Sequence, residues 1–171
     1  MCRCCNFSRS PKHAGPSGVF CFGTSDLTYI RRACFMNKKN VLTLDDAKII
    51  ATAAEAEATR NNWPVVIAIV DDGAHLIHLL RLDETQFGSV EVAIQKARAA
   101  IAFRRPTKIW EEQVGAGSIR YLGLPGTLPI EGGLPIAAEG QFIGAVGVSG
   151  VRSHQDAQIA RAGLDALFKN A

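Results

Sequence analysis

Val65-Val-Ile-Ala-Ile-Val70, then Asp71-Asp-Gly73 and His75-Leu-Ile-His-Leu-Leu-Arg-Leu82, is the stretch that decides the fold. The first run is apolar at every position and rich in β-branched residues, so it reads as a central strand covered on both faces. Asp-Asp-Gly supplies the chemistry of a hairpin turn. The return strand alternates, with His75, Ile77, Leu79 and Arg81 on one face and Leu76, His78, Leu80 and Leu82 on the other. The two histidines therefore point to opposite sides and are not expected to share a metal ion.

Upstream, Thr43-Leu-Asp-Asp46 carries a cap residue with acids in the first turn, and opens an Ala-rich helix running to about Asn61, before Pro64. Downstream, Asp83 to Gly88 is a loop. A helix is predicted from Ser89 to about Arg105, stopped by Pro106, and Thr107 then caps a short helix ending near Val114. Residues 115–133 are rich in Gly and Pro and too long for a plain connector, which marks them as functional. Leu134–Ala138, a turn at Glu139-Gly140 and Gln141–Val148 form a second hairpin. Ser153-His-Gln-Asp156 reads as a capping box for a last helix reaching about Lys169. Hairpins dominate this order, so the fold class is α+β, an antiparallel sheet with helices packed on it.

Charge and cysteine divide the 171 residues in the same place. Residues 1–35 hold five Lys or Arg (Arg3, Arg9, Lys12, Arg31, Arg32) against Asp26 alone, whereas the remainder holds 14 basic and 15 acidic residues. A nucleic-acid binder would place its positive charge on a folded face, so DNA and RNA are not expected partners. All five cysteines (Cys2, Cys4, Cys5, Cys21, Cys34) precede Met36. The domain has none to cross-link, which fits a reducing, cytoplasmic setting. No run approaches the roughly 18 apolar residues of a membrane span, so no membrane partner is expected. Residues 1–35 show no helix or strand period. Their one CxxC spacing lacks a second pair for zinc, and their basic, acid-poor character also suits a transit peptide. The expectation is a disordered extension over 1–35, with Met36-Asn-Lys-Lys39 reading as a start, and one domain over 36–171.

The Ser89–Arg105 helix carries the most chemical information. Glu91, Gln95, Arg98, Ala102 and Arg105 share one side, the expected solvent face. Lys96 points about 140° away from it, and Arg104 also sits off that face. A cation on a packing face needs a carboxylate, carbonyls or an anionic ligand, so Lys96 either pairs with an acid of the fold or meets a ligand. Arg81 is placed to clamp a carboxylate or to pair with Asp83 or Glu84. Gly132 and Gly133, with Gly126, permit close backbone approach in the loop that contains Glu131, which suits either a ligand site or a strand-entry turn. No zinc-protease, serine-hydrolase or phosphate-loop spacing is present, so no catalytic residue is assigned.

Together these segments resemble the GlcG/HbpS family. Asp-Asp-Gly-Ala-His-Leu at 71–76, Arg-Leu-Asp at 81–83, Gly-Ser at 88–89 and Gln-Lys-Ala-Arg-Ala-Ala-Ile-Ala-Phe-Arg-Arg-Pro-Thr at 95–107 match its first signature. Leu-Pro-Ile-Glu-Gly-Gly-Leu-Pro-Ile at 128–136 and Gly-Ala-Val-Gly-Val-Ser-Gly at 144–150 match its second. The resemblance implies a profilin-like α/β/α fold with about five strands, homo-oligomers, and haem binding or degradation, with relatives among PduO-type cobalamin adenosyltransferases and in glycolate-utilisation operons. Ala99 departs from the family where many relatives carry Thr. If haem is the cofactor, the iron ligand is expected among His75, His78, His154 and Tyr121. Arg81, Lys96, Arg104 and the Glu131-Gly132-Gly133 loop are the expected ligand-binding residues, with Lys96, Arg81 or Arg104 meeting the propionates. The leading expectation is a small-ligand container for haem storage, sensing or delivery. The alternatives are an enzyme or accessory protein for a small organic acid, with Arg81 as carboxylate clamp and Lys96 as base, or for cobalamin-related metabolism, and a scaffold without a ligand.

Overall fold

The computed structural model describes residues 38–169; the expectations for residues 1–35 lie outside them. α1 spans Leu44–Arg60, β1 Val66–Asp71, β2 Leu76–Arg81, α2 Gly88–Phe103, α3 Lys108–Gly115, β3 Gly133–Ala138, β4 Gln141–Ser149 and α4 Ser153–Lys169. A 3-10 helix covers Ile119–Gly123. The strands form one antiparallel sheet in the order β2-β1-β4-β3. About five strands were expected and the described residues form four. The Gly- and Pro-rich segment before β3 bends through the 3-10 turn, and its prolines and glycines break the alternation a further strand would need.

β1 is central, as its unbroken apolar run requires, and Val65 to Val70 are fully buried. Val65, Ile67 and Ile69 face the larger core, with Ile50, Ala54, Ile136, Val146, Val148 and Ile159. Val66, Ala68 and Val70 face α2 through Ala93, Ala97 and Ala100. The sheet is thus a middle layer, with α1 and α4 on one side and α2 on the other. Small residues set the spacing. A Cβ at Gly147 would collide with the Ala93 carbonyl, and one at Gly133 with the Lys96 carbonyl, so both let α2 lie against the strands.

Local signals explain most element ends. Thr43 closes a capping box on α1, accepting from the Asp46 amide at 3.2 Å while the Asp46 carboxylate accepts from the Thr43 amide at 3.0 Å. Asp71 Oδ1 accepts from the amides of Gly73 and His75, both at 2.8 Å, which folds the first hairpin. The left-handed residue there is Ala74, with φ 65°, rather than a glycine. Glu139 and Gly140 both have positive φ, at 50° and 76°, as a two-residue hairpin turn needs. Two caps differ from the sequence expectation. The Thr107 hydroxyl accepts from the Gly133 amide at 3.0 Å instead of capping α3. Ser153 and Asp156 do not close on each other; they turn toward the neighbouring helices.

Candidate functional site

A buried polar network lies where α2, α3, α4 and the entry to β3 meet. Lys96, on the packing face of α2, is 1% exposed, and its ammonium lies 2.8 Å from Asp156 Oδ2, itself 2% exposed. The same ammonium donates to the Val148 carbonyl at 2.9 Å. Asp156 Oδ1 accepts from the Val151 amide at 3.2 Å. Gly132, with φ 125°, lies over the pair, and a Cβ there would stand 2.8 Å from the ammonium. Of the two alternatives open for Lys96, the fold thus supplies the carboxylate. Burial pushes the Asp156 carboxyl above its ordinary pKa. The Lys96 ammonium and the Val151 amide pull it down, and the Glu111 carboxylate adds a smaller upward push.

Glu111 extends the network to the surface. One of its oxygens accepts from the Ser153 hydroxyl at 2.9 Å, and the other from the Glu131 amide. The Glu131 side chain pairs with Lys108 at 3.3 Å. The Thr107 amide donates to the Gly133 carbonyl at 3.0 Å, and the Val148 amide to the Gly132 carbonyl at 2.9 Å. Glu131, Gly132 and Gly133 are therefore brought together with Lys96, but as a fastened junction whose glycines are buried.

The loop leaving this junction is exposed and apolar. Ile119 and Leu122 are 71% and 62% exposed, and Ile109, Leu124 and Ile130 are also exposed. The 3-10 helix rests on α3, and Phe103 meets Trp110 edge-on with ring centroids 5.1 Å apart. The Thr127 hydroxyl donates to the Leu124 carbonyl at 2.7 Å and closes the turn. Tyr121, half-buried, stands in this segment with the Arg120 guanidinium 5.3 Å from its ring centroid.

The remaining candidates are dispersed. His75 is exposed at the first hairpin, with Nδ1 3.4 Å from Asp71. His78 is half-buried and opposite Ile69, on the side of the sheet facing α1. His154 is exposed in the first turn of α4, next to Ser153 and so near α3. Arg81 is exposed at the end of β2. Arg104 caps α2 in the left-handed conformation and lies over the Phe142 ring at 5.6 Å. A cleft of about 570 Å³ is lined by Asn40, Asp46, Ala138, Ile143 and Phe168, and none of the candidates lines it.

Sequence reasoning missed Asp156, Glu111 and Arg120. Asp156 was absorbed by the capping pattern Ser-x-x-Asp. Glu111 is one acid among two on a short helix, and nothing local marks it as the partner of a residue 20 positions away. Arg120 carried a signal, a cation beside the Tyr121 candidate, that was not used.

Residues 42–165 match the family model described as haem degrading protein HbpS-like. The chain is 42% identical over 114 residues to protein GlcG of Escherichia coli K12, spanning 67% of this chain and 85% of that protein. The crystal structure of HbpS superposes with a TM-score of 0.72 at 31% identity, covering 80% of this chain and 96% of that one. The structure of a PduOC:heme complex gives 0.68 at 27% identity, covering 74% and 95%.

Proposed function

The chain belongs to the HbpS-like family, and from that premise we propose that it binds haem, or a tetrapyrrole of the same shape, for storage or delivery. The observation that carries the reading is the set of exposed apolar residues Ile119, Leu122 and Leu124 flanking Tyr121 and Arg120 in the chain, with Ile109 and Ile130 exposed on the segments before and after. Soluble proteins rarely leave such a group uncovered without a use for it. A haem is a flat apolar plate with two carboxylates, and the donor set fits it. Tyrosine is an established axial ligand for haem iron. Arg120, beside the Tyr121 ring, is the cation to meet a propionate, and Glu111 holds the loop at the Glu131 amide. The bound group would supply the light absorption and redox chemistry of its iron. Tyr121 would fix the iron, with His154, next to Ser153 in α4, as the alternative ligand.

The reading moves the propionate role away from Lys96, whose charge is answered by Asp156. The organic-acid alternative needs Lys96 open to substrate and finds less support in that pairing. Association into homo-oligomers and a cytoplasmic setting belong to the same proposal, the second resting on the absence of cysteine after Cys34. Among the described residues, no helix is long and apolar enough to cross a membrane. Titration of the full chain with hemin tests the reading, with a saturable Soret shift expected. Stabilisation by glycolate but not by hemin in a thermal melt would overturn it in favour of the alternative.

A further inference from the structure

The start of α1, the β3–β4 hairpin and the end of α4 border the cleft of about 570 Å³. Small-molecule sites ordinarily occupy roughly 300–1,000 Å³. The walls are set by short contacts. The Asn40 amide donates to Gln141 Oε1 at 3.0 Å, and Asn40 Nδ2 donates to Glu139 Oε2 at 2.9 Å. Leu42 is buried against Gly144, where a Cβ would stand 2.9 Å from its Cδ2. The segment before α1 is thus fastened along the hairpin. β3 shifts register at Ile136/Ala137, where Ala137 and Ala138 line the cleft. Their small side chains leave a space with Ile143, 7% exposed, at its floor, and with Val41 and Phe168, 58% and 49% exposed, at its sides.

The charge of the cleft is of one sign. Asp46 and Glu139 line it, and no Lys or Arg does. The lysines nearby in sequence are engaged elsewhere, Lys39 with Asp72 at 2.6 Å and Lys48 with Asp45 at 3.3 Å. Asp46 Oδ2 accepts from the Thr43 amide and hydroxyl, at 3.0 and 2.6 Å, and Glu139 Oε2 accepts from Asn40. Asp46 Oδ1 and Glu139 Oε1 have no donor among the described residues. An apolar cleft with two carboxylates and no cation favours a ligand with an apolar body and a positive head, and repels an anion. Haem, with two propionates, has the wrong charge for it. We propose that this cleft binds a small organic cation, a protonated amine on a compact apolar body, with Glu139 as its counter-charge and Ile143 and Phe168 against the body. The site is separate from the surface beside Tyr121, and its test needs no haem.

Three probes on one body separate charge from apolar contact: phenethylamine, phenethyl alcohol and phenylacetate. Each is titrated into the isotope-labelled full chain at neutral pH and followed by backbone amide shifts. Phenethylamine is expected to give saturable shifts confined to residues 40–46, residues 137–143 and the last turn of α4, with a Kd below about 10 mM. The alcohol is expected to bind more weakly, and phenylacetate more weakly still. Glu139→Gln keeps an acceptor for Asn40 Nδ2 and removes the charge. It is expected to weaken phenethylamine about threefold, the scale of an exposed ion pair, and to leave the alcohol unchanged. Ala137→Phe, at an exposed position, fills the cleft and is expected to abolish the shifts. The proposal is overturned by an amine that does not saturate, by phenylacetate binding as well as the amine, or by amine binding unchanged in both folded variants. If Ala137→Phe does not fold, the order of the probes and Glu139→Gln decide.

Discussion

The Lys96 ammonium and the Asp156 carboxylate meet at 2.8 Å with both side chains shut off from solvent, tying α2 to α4 past the end of β4. Removing one partner strands a charge in a place water does not reach. Lys96→Met is therefore expected to cost about 3–5 kcal/mol of stability, and the double change Lys96→Met with Asp156→Leu much less. Urea denaturation of the three proteins checks this. A single variant as stable as wild type would show that the pair carries no structural role.

Glu111 joins α3 to both the Glu131 amide and the Ser153 hydroxyl. Glu111→Ala leaves the partly buried Glu131 N–H without an acceptor, at a cost of about 1–3 kcal/mol. Hydrogen exchange is expected to speed up at Glu131 and through the 3-10 segment while β1 stays protected. Unchanged exchange at Glu131 would remove the anchoring role.

The acid dependence of folding has opposite signs at two carboxyls. Asp46 is held below its ordinary pKa by the Thr43 hydroxyl and amide, so its stabilisation is full above the ordinary carboxylate pKa and lost as pH falls through the lowered value. Asp156 is raised, so the folded state binds its proton first. Its contribution weakens folding as pH rises from the ordinary carboxylate value through the raised one. Asp46→Asn is thus expected to be less stable than wild type at neutral pH, with the gap closing in acid. A gap of the same size at neutral pH and in acid strong enough to protonate the Asp46 carboxyl would contradict the assignment.

Ala74 takes a left-handed φ of 65° at the first hairpin, next to a glycine that does not. Ala74→Gly should relieve roughly 1 kcal/mol of backbone strain, partly offset by the greater freedom of glycine when unfolded. A higher melting temperature is expected, and a fall of several degrees would show that Ala74 packing outweighs its strain.

What could be read from the sequence followed from period. Val65–Val70 had no polar face, and it is the buried centre of the sheet. The angle of Lys96 on α2 placed it on a packing face, and it is buried there. Its partner was illegible because Asp156 lies 60 residues on, in a pattern with a sufficient local meaning. The loop after α3 was legible as unusual, through its Gly and Pro, but not as a 3-10 turn presenting leucine and isoleucine to solvent. Exposure of apolar residues has no local signature, since the same residues mark a core elsewhere.

The apolar surface beside Tyr121 is the centre of the functional account, and one spectrum tests it. Hemin is titrated into the wild-type chain and into Tyr121→Phe, both checked as folded, with His154→Ala alongside. The expected result is a saturable Soret shift in the wild type and His154→Ala, and in Tyr121→Phe an altered Soret position with affinity at least tenfold weaker, a difference of about 1.4 kcal/mol. A Soret band and affinity in Tyr121→Phe indistinguishable from wild type would contradict the account.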